Sequence, residues 1–155
     1  MFGSERVRPN MATFDYKFGL TEIIPSKQDN REGEKIIAFK TLVEKTITPE
    51  IMGLSIFPSK KEVVVFIMQF FLSKKDYDTR DVDNMSKTVM DCLKGKIYID
   101  DVQVRTLLVS KKISPRVPSN FVFVGIRELH GDTDIDVVKS MLTQQAITLY
   151  QTSIK

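Results

Sequence analysis

Residues 13–20 alternate apolar and polar side chains, with Phe14, Tyr16, Phe18 and Leu20 in phase. That period of two predicts a half-buried β-strand. Residues 21–33 carry Pro25, Ser26, Asp29, Asn30 and Gly33 and read as a loop. In residues 34–47 the apolar positions Ile36, Phe39, Leu42, Val43 and Ile47 recur at intervals of three and four, predicting an amphipathic helix. Residues 62–72 (EVVVFIMQFFL) are apolar on both faces and β-branched at the start, the composition of a central strand. A hydrophilic continuation, residues 73–80, leads to a second helix over 82–94. There Met85, Val89, Cys92 and Leu93 share a face, and Gly95 suits the left-handed position just past the end. Two strands are expected over 102–111 and 120–128, separated by a stretch with Pro115 and Pro118. A long helix over 134–154 closes the chain with an apolar stripe at Ile135, Val138, Leu142 and Leu149, whose default partner is its own sheet.

The order β-α-β-α-β-β-α predicts an α+β fold, a single domain with a mixed β-sheet and helices packed on one face. With 155 residues there is room for one core and little for a second. Residues 1–11 are polar and expected to be a flexible N-terminal segment, leaving 12–155 as the folded domain. No run reaches the ~18 apolar residues of a membrane span, and the N-terminus lacks a signal-peptide core. A single cysteine, Cys92, excludes an intrachain disulfide, and the protein is expected to be cytoplasmic and unanchored.

Net charge is +3, too small to announce nucleic-acid binding by itself. Placement says more. Lys27 and Arg31 fall in the first loop, while Lys74, Lys75, Arg80, Lys94, Lys111 and Lys112 surround the segment that carries the chemistry. These eight are the candidate contacts to a phosphate backbone.

That segment is residues 80–104, RDVDNMSKTVMDCLKGKIYIDDVQV. Asp81 and Asp83 flank a valine where connector meets helix, and Asp83 is placed to cap it. Lys87 follows one turn later, away from the apolar stripe. Asp100 and Asp101 open the next strand. If that strand pairs beside the one leading to Arg80, Asp101 returns towards Asp81 and Asp83. Gathered carboxylates repel unless a cation neutralises them, and all-oxygen ligation suits magnesium or manganese. The bland reading of each residue is a cap, an i,i+4 pair or an exposed turn. Asp132-Thr133-Asp134 supplies an internal control, a second D-x-D at a helix start with no returning acidic pair. His130, the only histidine, reads as a surface residue, and Cys92 as an inert buried thiol. No P-loop, serine elbow or dinucleotide fingerprint is present, so no nucleotide cofactor is expected.

The whole string resembles the RusA family of Holliday junction resolvases: Asp81, Asp83, Asn84 and Lys87, then Asp91, Leu93 and Gly95, then Asp100, Asp101, Gln103 and Val104. The resemblance implies a crossover junction endodeoxyribonuclease, bacterial or phage-encoded, acting in DNA recombination and repair. It implies Asp81, Asp83 and Asp101 as catalytic carboxylates holding Mg²⁺ (or Mn²⁺), Lys87 as the essential basic residue, and Asp100 as a secondary acidic neighbour. It also implies a homodimer nicking two opposed strands of a four-way junction. The connection from Leu93 to Asp100 is slightly shorter than in the best-known members. The family's P-P-S-x-N loop is reduced to Pro25-Ser26 with Asn30 later. Two other classes stay open: a non-catalytic branched-DNA-binding module of the same fold, and a nucleotidyl transferase using the same carboxylates.

Overall fold

The computed structural model describes residues 14–26, 33–130 and 137–153. Its elements are β1 (Tyr16–Leu20), α1 (Gly33–Ile51), β2 (Val63–Phe70), α2 (Lys74–Thr79), α3 (Val82–Leu93), β3 (Val104–Lys112), β4 (Phe121–Glu128) and α4 (Val137–Ser153). The four strands form one mixed sheet in the order β1-β4-β2-β3. β4 is antiparallel to both β1 and β2, whereas β2 and β3 run parallel. A parallel neighbour requires a crossover, and α2 and α3 provide it. The expected α+β layer is therefore present. The segment 1–11, Lys27, Arg31, Ile135 and the Asp132–Asp134 control all lie outside the described residues.

The core lies between one sheet face and helices α1 and α3. Tyr16, Phe18 and Leu20 of β1, Val63, Val65 and Ile67 of β2, and Val122, Val124 and Ile126 of β4 meet Phe39, Val43 and Ile47 of α1. Met85, Val89, Cys92 and Leu93 of α3 join them, so the stripe expected on that helix is buried throughout. Gly95 follows at φ +83°, a conformation that glycine adopts without Cβ strain. On the opposite face Phe14 packs edge-on to Phe66 and Phe123, with centroids 5.1 and 5.6 Å apart. Gly125 makes room for it, because a Cβ there would come within 2.7 Å of the Phe14 ring.

Gln69 is the one amide buried on the core face of β2. Its oxygen accepts from Ile24 N–H at 2.9 Å, and its NH₂ donates to the carbonyls of Glu22, Phe70 and Phe121 at 2.9, 3.1 and 3.2 Å. It thereby pins the loop after β1 to the sheet. Gln69→Leu leaves these buried backbone groups without partners and is expected to cost about 2–3 kcal/mol. The check is the urea unfolding midpoint, and an unchanged midpoint would show that the amide holds nothing.

Three expectations change. The stretch expected as a hydrophilic connector contains α2, whose start Ser73 caps by accepting from Asp76 N–H at 3.2 Å. At six residues α2 is too short to show a period. β3 begins at Val104 because Asp101–Gln103 form a 3-10 turn closed by a capping box between Asp100 and Gln103. Finally, Leu142 and Leu149 of α4 are 59 and 70 % exposed, as are much of Ile147 and Tyr150. Leu142 borders a cleft shared with Arg105, Leu107 and Leu108 of β3, so among the described side chains the α4 stripe is only partly covered by its own sheet. Periodicity shows which face of a helix is apolar, not what covers it.

Candidate active site: two acidic ends of one helix

At the first turn of α3 the cap is Asp81, not Asp83. Asp81 has extended backbone angles, and its side chain makes no capping hydrogen bond. Asp83 falls inside the helix in its first turn and is exposed. Capping thus uses neither carboxylate, and neither has a side-chain partner among the described residues. Two unpartnered carboxylates beside a helix N-terminus experience its positive partial charge. They are free to ligate. Lys87 stands one turn along the same exposed side and forms no ion pair with any described residue.

Lys111 holds this end together. Its ammonium donates to the carbonyls of Tyr77 at 2.6 Å and Arg80 at 2.9 Å and lies 4.4 Å from the Tyr77 ring centroid. The tip of β3 is thereby tied to the residue preceding Asp81. Arg80 Nη1 reaches the Ile24 carbonyl at 3.4 Å. Arg80 and Lys35 line a cavity of about 360 Å³ with Pro25, Phe39 and Asn120. Lys75 and Lys112 are exposed nearby in the chain, while Lys74 is paired with Asp78 at 2.8 Å.

The other acidic pair sits at the far end of α3. Asp100 accepts from Asp101 N–H at 2.7 Å and pairs with Lys94 at 3.4 Å. Gln103 accepts from the N–H groups of Ile99 and Asp100 and donates to the carbonyls of Ser59 and Lys61, each of the last two at 2.8 Å. In D-D-x-Q, then, the first and last residues build the turn and Asp101 is presented to solvent. One Asp101 oxygen accepts from the Tyr98 hydroxyl at 3.0 Å, and the same hydroxyl lies 3.3 Å from the Met90 carbonyl in the last turns of α3. Burial, and next the Asp101 charge, push the Tyr98 phenol far above its ordinary range, so it remains a donor.

One chain does not bring Asp101 to Asp81 and Asp83. The strand before Arg80 ends at Phe70, and β3 runs parallel to it, so β3 starts at the sheet end remote from Arg80. Seven residues of helix between Asp83 and Met90 rise about 10 Å. Two Mg–O bonds of about 2.1 Å span at most about 4 Å. Among the described residues, the group of three acidic or histidine ligands that does converge is a different one: Asp15, Glu128 and His130. The sequence suggests only a surface residue at His130: Glu128 is two residues away, but Asp15 is remote along the chain. The β1–β4 pairing is what brings them together.

A mixed sheet with an α3 crossover, exposing acidic groups at both helix ends, has the parts of a phosphodiester-cleaving enzyme. More specifically, the family model Endodeoxyribonuclease RusA matches residues 26–124, and the chain belongs to that family. The match contains α1, β2, α3, β3 and every proposed catalytic residue, and excludes β1 and α4. No curated protein matches the chain in sequence. No helix of the described residues is long and apolar enough to cross a membrane.

Proposed function

We propose that this protein is a Mg²⁺-dependent, cytoplasmic endonuclease that resolves four-way DNA junctions by paired symmetric nicks during recombination and repair. In this reading it works as a homodimer. Each active site combines Asp81, Asp83 and Lys87 of one subunit with the partner's Asp101. The observation that carries the proposal is the display of unpartnered Asp81 and Asp83 at one end of α3 and exposed Asp101 at the other.

Two features favour a twofold arrangement in which α3 faces its own copy antiparallel. The exposed side of α3 and its cap reads Asp83, Lys87, Asp91, Lys94. Reversed, this alternating stripe places acids of one copy on the side of bases of the other, so the apposition brings no like-charge face against itself. Large apolar side chains are also exposed beside the carboxylates at both ends, Val82 at one and Ile99 and Val102 at the other, with Val102 81 % exposed. A second copy would cover them. The same apposition brings the first turn of one α3 to the Asp100-Asp101 turn of the other.

The residues fit a hard divalent ion, since three exposed carboxylates offer only oxygen. A bound Mg²⁺ supplies Lewis-acid polarisation of the scissile phosphate and acidifies the attacking water. Lys87 neutralises the phosphate and orients it. Lys75, Arg80 and Lys112 grip the backbone on the Asp81 side, and Lys27, Arg31, Lys74 and Lys94 are the further candidate backbone contacts. Lys111 acts mainly by fixing Arg80. Asp100 positions Asp101 through the turn that it caps.

The direct test incubates a labelled synthetic four-way junction, and separately its linear arms, with protein in Mg²⁺ or EDTA. Paired symmetric nicks in the junction alone, lost in EDTA, are expected. Tight junction binding with no cleavage in either Mg²⁺ or Mn²⁺ would instead identify a binding module.

A further inference from the structure

Asp15, Glu128 and His130 meet where the start of β1 joins the end of β4, outside the family match and remote in the chain from the proposed nuclease residues. One ligand atom from each lies within 4.8 Å of the other two. Glu128 is only 5 % exposed. One of its oxygens accepts from the Ser59 hydroxyl, a neutral donor, and the other has no donor among the described residues. No lysine or arginine among the described residues forms an ion pair with it. A buried carboxylate with one neutral hydrogen bond keeps unsatisfied acceptor capacity that a cation would complete. Asp15 is held in place for the same purpose, since Glu128 N–H donates to its carboxylate at 2.6 Å.

We propose that these three side chains form a second, separate metal site, selective for a borderline divalent transition ion such as Zn²⁺. Two carboxylates and one imidazole neutralise such an ion, and nitrogen ligation favours it over Mg²⁺. Three protein ligands leave a position for water. The bound ion staples the start of β1 to the end of β4 and, through Ser59, to the loop that Gln103 holds. The site has a built-in competitor: Lys61 Nζ lies 2.8 Å from His130 Nδ1. Metal entry at Nδ1 requires Lys61 to swing away.

The test uses the full-length metal-free chain carrying Asp83→Asn, which disables the proposed nuclease site so that the two readings fail separately. Zn²⁺ is titrated by calorimetry and Co²⁺ by visible absorption, which reports the coordination geometry of the bound ion. One ion per chain is expected. His130→Ala, at an exposed position where folding is verified by circular dichroism, is expected to weaken binding by at least roughly 100-fold, and Asp15→Asn similarly. Lys61→Met is expected to tighten it several-fold by removing the competing ammonium. Absence of Zn²⁺ binding, or binding that His130→Ala leaves unchanged, overturns the proposal.

Discussion

Asp83→Asn is expected to lower Mg²⁺-dependent junction cleavage by roughly 10²–10³-fold or more while leaving junction affinity unchanged or tighter. The substitution keeps size and removes one charge, so on the proposed reading the metal would lose a charged ligand and the phosphate a nearby repelling carboxylate. The structure separates this result from loss of a cap. Asp83 is within the first turn and makes no capping bond; Asp81 occupies the cap position and its side chain makes none either. Helix α3 is fixed instead by Met85, Val89, Cys92 and Leu93, all at most 3 % exposed. The thermal midpoint should therefore stay nearly constant. Cleavage rate and equilibrium binding, measured on the same junction with the folded variant, provide the check. A parallel drop in binding, cleavage and melting temperature would make Asp83 a structural residue.

Much of this arrangement can be read from the chain because it is local. The α3 stripe, its glycine stop and the two-faced apolarity of β2 follow from spacing within a dozen residues: the stripe is buried, Gly95 adopts the left-handed conformation, and β2 is buried or half-buried along its length. The roles inside D-D-x-Q were less visible. Asp100 and Gln103 form a turn that delays β3 by two residues, a consequence of side-chain hydrogen bonds and not of hydrophobic period. What sequence could not supply is the direction of pairing. Had β3 been antiparallel to β2, Asp101 would have been carried towards the other end of the sheet; the parallel register holds it beside the last turns of α3. Strand direction depends on long-range pairing that alternation alone does not encode. The same limit hid Asp15, Glu128 and His130, which only the β1–β4 register assembles.

The two ends of α3 lead to a quantitative expectation for mixed dimers. If each site draws Asp81 and Asp83 from one subunit and Asp101 from the other, then Asp83→Asn and Asp101→Asn homodimers each carry two broken sites. A dimer containing one subunit of each type has one doubly broken site and one intact site. Purified through two different tags, it should recover roughly half of the wild-type nicking rate, as one site of a twofold pair, and produce single nicks in place of paired ones. A control dimer mixing Asp81→Asn with Asp83→Asn damages both sites and should stay inactive. Recovery in the first dimer and none in the control is the predicted result. No recovery in the first dimer, from subunits shown to pair and to bind the junction, would contradict a shared site.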